Sequence, residues 1–188
     1  MKKTFMTLVA AAALMFAACG GSTTNNGTAE SGNAAESKAA VEEPIMPVDA
    51  SATLDKTFDH ANFSMKYPSS LAPEKDWTFN TCRLISEDEK VTVTVDHNTS
   101  MFMGAEQYAA SWEFPLKAIG YAVQGAPTVK GNKYLLKAVN ADDKKTLYAY
   151  GVYKNDKEAV IVQFEIPDDK AAEFDKYVGA LFNSIKFK

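Results

Sequence analysis

The chain has 188 residues, of which 20 are basic and 24 acidic, for a net charge of −4. This mildly acidic balance argues against a nucleic-acid partner and against an electrostatic grip on anionic lipid, since both require clustered positive charge. With 46% hydrophobic residues, two histidines and two cysteines, the composition is that of a packed domain.

The N-terminus opens Met1-Lys2-Lys3, and Thr4 to Ala18 is then apolar apart from two threonines. Fifteen such residues match a secretory signal core and fall short of the ~20 that span a bilayer as a helix. Residues 1–18 are therefore expected to be a signal peptide. Its end, Leu14-Met15-Phe16-Ala17-Ala18-Cys19, resembles the bacterial lipobox, with Phe16 where an aliphatic residue is usual. The resemblance implies a diacylglyceryl group on Cys19, which becomes an acylated N-terminus carrying palmitate-like chains. Each buried methylene contributes about 0.8 kcal/mol, and two or more chains anchor stably in a bilayer. Gly20 follows where an aspartate would resemble an inner-membrane retention signal. The expectation is a lipoprotein of the outer membrane facing the periplasm, held by lipid rather than by charge.

Removal of residues 1–18 leaves 18 basic against 24 acidic residues, net −6. With Cys19 acylated, Cys82 is the remaining thiol, so stability must come from a core and not from disulfides. Cys82 lies in the strand-like "FNTCRLIS" and is expected to be a small core hydrophobe. Residues 19–52 are expected to be a tether, because up to Pro44 their one β-branched hydrophobe is Val41 and they lack aromatics. Some 33 such residues have a span of roughly 30–35 Å. Residues 53–188 then form a single domain holding nearly all the aromatic residues.

Within that domain, "TFDHANFSMKYP" predicts a first hairpin and Val91, Val93 and Val95 one face of a strand. Ala105, Tyr108, Ala109, Trp112, Leu116 and Ile119 recur at helical spacing, with Pro115 predicting a kink or a helix in two pieces. Residues 121–166 predict a four-strand meander, in which Tyr148, Tyr150 and Val152 face one way and Leu147, Ala149 and Tyr153 the other. A second helix is expected after Pro167, capped by Asp168 or Asp169, with Ala171, Phe174, Val178, Leu181 and Phe182 as its apolar stripe. Ile185 and Phe187 would add a closing strand. These elements predict an α+β domain, a central antiparallel sheet flanked by helices.

Two stretches carry a family resemblance. "ANFSMKYPSSLAPEKDWTF" is similar to the opening of PsbP-like domains, and the closing "FNSIKFK" to the end of that family. The resemblance covers residues 57–188 and implies an α/β/α sandwich. Family members mostly act as docking or assembly modules rather than enzymes. They include a photosystem II extrinsic subunit and a relative that binds a nuclear transport GTPase. The long N-terminal region of the plant proteins is missing here, so nothing about manganese, calcium or photosystems carries over.

Candidate chemistry is sparse. His60 and His97 each follow an aspartate, but no nucleophile elbow accompanies them. "HNTSMFMG" places His97, Met101 and Met103 close in sequence, one imidazole and two thioethers that would suit Cu(I); a loop with gap-filling methionines is the alternative. "SEDEK" and "PDDK" lack the alternating spacing of a calcium loop. Trp77 and Trp112 could line a ligand pocket, although Trp112 lies on the apolar helical stripe. The expectation is a non-catalytic binding or assembly module with no cofactor, an envelope protein as partner and no nucleic acid. A small-ligand or copper carrier in the cell envelope is the alternative.

Overall fold

Alternation of apolar residues builds the central sheet. The computed structural model describes residues 43–75 and 81–188. The expected signal peptide, Cys19, the tether up to residue 42, and Trp77 lie outside the described residues. Eleven strands are described: β1 (Lys56–Asp59), β2 (Phe63–Tyr67), β3 (Leu71–Pro73), β4 (Cys82–Ser86), β5 (Thr92–Asn98), β6 (Ala122–Val123), β7 (Thr128–Lys130), β8 (Lys133–Asn140), β9 (Lys145–Asn155), β10 (Glu158–Pro167) and β11 (Lys186–Phe187). The helices are α1 (Ala105–Ser111), α2 (Glu113–Ala118) and α3 (Ala171–Asn183).

Eight strands form one antiparallel sheet in the order β3-β4-β5-β10-β9-β8-β6, with β7 also paired to β8. A smaller sheet has the order β1-β2-β11. Short turns make sequential strands antiparallel neighbours, so β8, β9 and β10 follow as a meander. The meander differs from the expected four strands at its edge, where the short β6 and β7 share the outer side of β8.

Both faces of the sheet are covered, which is why β9 is buried without interruption from Leu147 to Tyr153. Tyr148, Tyr150 and Val152 enter one core with Val93, Val95, Val160, Val162 and Phe164. Against them pack Phe174, Val178, Leu181 and Phe182 of α3, and Phe63 and Met65 of the small sheet. Leu147, Ala149 and Tyr153 face the other way, beneath α1 and α2. The layers are helix, sheet and helix, the α+β sandwich expected from the pattern.

Three boundaries correct or refine the expectation. The first concerns the tether: Ile45 is buried in the α3-side core and Met46 packs against it, so this part of the expected tether is seated on the domain. This strap crosses α3 at Gly179, where a Cβ would collide with the Pro47 carbonyl oxygen. Asn183 Nδ2 also donates to the Met46 carbonyl, at 3.4 Å. The second concerns the break tied to Pro115: the expected division into two pieces is present, and it falls at Trp112, upstream of the proline. Proline is tolerated in a first helical turn, where its missing N–H would bond to nothing, so Pro115 sits near the start of α2. The third is the start of α3. Asp168 and Asp169 lie in a 3-10 turn with no side-chain cap bond, and the α-helix begins at Ala171.

Candidate functional site

The α1–α2 layer is an aromatic assembly. Trp112 sits between the two helices and packs against both clusters beneath them. Its Nε1 donates to the Tyr134 hydroxyl at 3.2 Å. Tyr108 meets Trp112 edge-on, ring centroids 6.0 Å apart, and lies 5.8 Å from the Tyr134 ring. Tyr134 can lie across the sheet because its neighbour on β9 is Gly151, where a Cβ would overlap the Tyr134 ring. Tyr153 is buried beside them, and its hydroxyl has no hydrogen-bond partner among the described residues. Burial pushes the Tyr134 and Tyr153 phenols above the ordinary tyrosine range, so both remain neutral.

The outer side of this layer carries exposed apolar residues beside the exposed polar residues Glu106, Gln107, Glu113 and Lys117. Phe102 is 94% exposed, Phe114 84% and Ile119 65%. Met103 and Val129 are also exposed. Phe102 and Met103 precede α1, Phe114 lies in α2 and Ile119 follows it, so the stretch 102–119 presents four apolar side chains to solvent. An open cleft of about 530 Å³ adjoins the start of α1. Glu106, Gln107, Val129, Asn132, Lys154 and Asp156 are among its lining residues.

The residues singled out as candidates divide as follows. Trp112 is half-buried and packed between helices and sheet, the geometry of a core aromatic. Met101 is buried with Tyr134, Tyr153 and Ile161 on the α1 side of the sheet. His97 pairs with Val160, whose side chain enters the core on the α3 side, and packs on Phe63 with centroids 5.8 Å apart. The sheet therefore stands between His97 and Met101, while Met103 is exposed, and the three are not assembled as copper ligands. Among the described residues no group of three or more His, Cys, Asp and Glu could hold a metal ion. Cys82 is a buried core residue as expected, and burial pushes its thiol up to about 11.

One association was missed. His97 does not join the methionines; it meets His60, with ring centroids 5.3 Å apart. Its Nε2 lies 3.1 Å from Glu158 Oε1, and its side chain is only 6% exposed. These residues are 37 and 61 positions away along the chain, beyond any local motif. The available signal was alternation along β5, which puts His97 on the same face as Val93 and Val95.

No family model matches the chain, and no curated protein matches it. Among solved structures, it is similar to the solution structure of cyanobacterial PsbP (CyanoP) from Synechocystis sp. PCC 6803. The match has 7% sequence identity and a TM-score of 0.54, and covers 71% of this chain and 92% of that one. The fold is therefore PsbP-like.

Proposed function

We propose that this chain is a lipid-anchored envelope protein whose globular domain is a non-catalytic binding or assembly module, docking a protein partner through its α1–α2 face. The observation that carries the docking face is the pair Phe102 and Phe114, large aromatic side chains left almost wholly in water. Exposed aromatic side chains are candidate anchors, because aromatic residues supply much of the energy of protein interfaces. Burying one phenylalanine contributes about 1.5–3 kcal/mol, so two anchors represent a substantial driving force. The PsbP-like fold supports a docking role by analogy alone.

The anchor is proposed to be Cys19, acylated after removal of residues 1–18, on the outer membrane facing the periplasm. Mass spectrometry of the mature protein tests this, and an unmodified N-terminus would contradict it. The docking face is tested by chemical cross-linking in intact cells. Phe102→Ser with Phe114→Ser, both at exposed positions, should leave folding unchanged and weaken recovery of a discrete partner by at least about tenfold. Equal recovery would contradict the assignment.

The cleft beside α1 favours a second function, carriage of a small ligand. A thermal-shift screen tests it, because a specific ligand must stabilise the folded state by mass action.

A further inference from the structure

We propose that His60, packed against His97, is an acid-responsive latch: its neutral ring holds the small sheet and the chain's last strand against β5 and β10, and its protonation loosens them. The proposal concerns a conformational device and is independent of the docking face.

The chain's only two histidines come from different sheets. His60 opens the turn between β1 and β2, and its backbone N–H donates to the Phe63 carbonyl at 2.9 Å. His97 lies in β5 of the large sheet. Their rings are 5.3 Å apart and tilted by 58°, with Phe63 5.0 Å from His60 and Phe58 6.4 Å from it. The last strand closes on the same turn. β11 pairs with β2, and the Lys188 amide donates to the Asn62 carbonyl at 2.9 Å.

Two features require His60 to be neutral. Its Nδ1 accepts a hydrogen bond from the Asn62 amide at 3.3 Å, so a proton on that nitrogen would face another N–H. Its surroundings also leave it no free counter-charge. The charged groups of this cluster, among the described residues, are Glu158 of β10, Asp59 of β1, Lys154 of β9 and Lys188. Glu158 is engaged twice, by His97 Nε2 at 3.1 Å and by Lys154 Nζ at 3.6 Å. Asp59 is paired with Lys188 Nζ at 2.7 Å. Lys154 Nζ also donates to the Lys188 main-chain oxygen at 3.2 Å. An imidazolium at His60 would stand beside the His97 ring with Glu158 and Asp59 already paired.

The His60 imidazole is accordingly held below the ordinary histidine range, first by burial and then by His97 and Lys188. The sign follows from linkage. The opened turn binds a proton at the ordinary pKa of about 6.5 and the closed turn binds it only at lower pH. Opening is thus favoured as pH falls below about 6.5, by up to about tenfold per pH unit for one proton, and levels off once the closed form protonates.

Hydrogen exchange at the Lys188 and His60 amides, corrected for intrinsic rates, reads this opening in the purified chain between pH 7.5 and 5. His60→Asn keeps a side-chain acceptor for the Asn62 amide and removes the charge. The expected result is an opening constant that rises several-fold on acidification in the wild type and stays flat in His60→Asn. An independent readout is the His60 ring titration by NMR, whose midpoint should lie below 6.5 in the wild type and move upward in His97→Gln. A flat wild-type opening constant, equal pH dependence in His60→Asn, or a His60 midpoint at or above 6.5 overturns the latch.

Discussion

Tyr150 and Phe182 stack with ring centroids 4.8 Å apart and planes 7° from parallel. Tyr150 rises from the middle of β9 and Phe182 from the last turn of α3, so one contact joins the sheet to its covering helix. Both rings are buried, and such stacks add about 0.5–1.5 kcal/mol beyond area burial. Phe182→Ala should therefore lower stability by about 3–5 kcal/mol, measured by chemical denaturation. Phe182→Leu keeps much of the apolar burial and should cost less. An alanine variant as stable as the wild type would mean that α3 is not seated as described.

Gly179 decides whether the strap around Ile45 is part of the domain. A glycine-to-alanine change inside a free helix stabilises it by about 1 kcal/mol. Here the new Cβ meets the Pro47 carbonyl oxygen, a backbone atom that cannot swing aside. Gly179→Ala should therefore destabilise the protein and open residues 43–47 to proteolysis, as Ile45 loses its burial. A higher melting temperature would contradict a seated strap.

Cys82 supplies a chemical probe of the same core. Burial pushes its thiol up to about 11, so at pH 8 little thiolate exists and the sulfur is shielded. A thiol reagent should label the folded mature protein slowly and the denatured protein at once. On the proposed acylation of Cys19, the denatured chain should yield one reactive thiol. Rapid labelling of the folded form would contradict the burial of Cys82.

Asp88 ties the turn after β4 to the start of α3. Its carboxylate lies 2.7 Å from Lys170 Nζ and accepts from the Ser86 hydroxyl at 2.7 Å. Lys170 and then Ser86 hold this carboxyl below the usual range. A lowered carboxyl pKa stabilises the fold above the ordinary value of about 3.9, and that contribution disappears as pH falls through the folded value. Asp88→Asn should therefore be less stable than the wild type at pH 7, and the two should converge at strongly acid pH. A constant difference across that range would show that the pair does not couple to folding.

The parts of the fold that obey a simple period were readable from the residues. Tyr148, Tyr150 and Val152 do face one core while Leu147, Ala149 and Tyr153 face the other, because a strand alternates whatever it packs against. The α3 stripe held for the same reason. The strap around Ile45 was not readable, because two apolar residues between prolines look like a linker until α3 offers Gly179 as a seat. The helix division that Pro115 predicts is present and falls at Trp112, because proline suits an early position of the second helix. At the candidate site, the apolar stripe correctly placed Trp112 in the packing. Phe114 lies off the apolar stripe, a signal of its exposure, whereas Ile119 lies on the stripe and is exposed all the same because it follows the end of α2; Phe102 carried no such signal, since an aromatic residue is usually inside. The His60–His97 contact depends on how two sheets meet, which no local spacing encodes.

The docking face is tested most directly by site-specific photo-cross-linking. A photoreactive residue at position 102 or 114, introduced into the full chain in its own cells, samples what touches that surface. A control at Lys56 of β1, in the small sheet, samples a different surface. The account predicts one discrete protein adduct from positions 102 and 114 that is missing from position 56. The same diffuse labelling from all three positions, or a discrete adduct from position 56 alone, would contradict it.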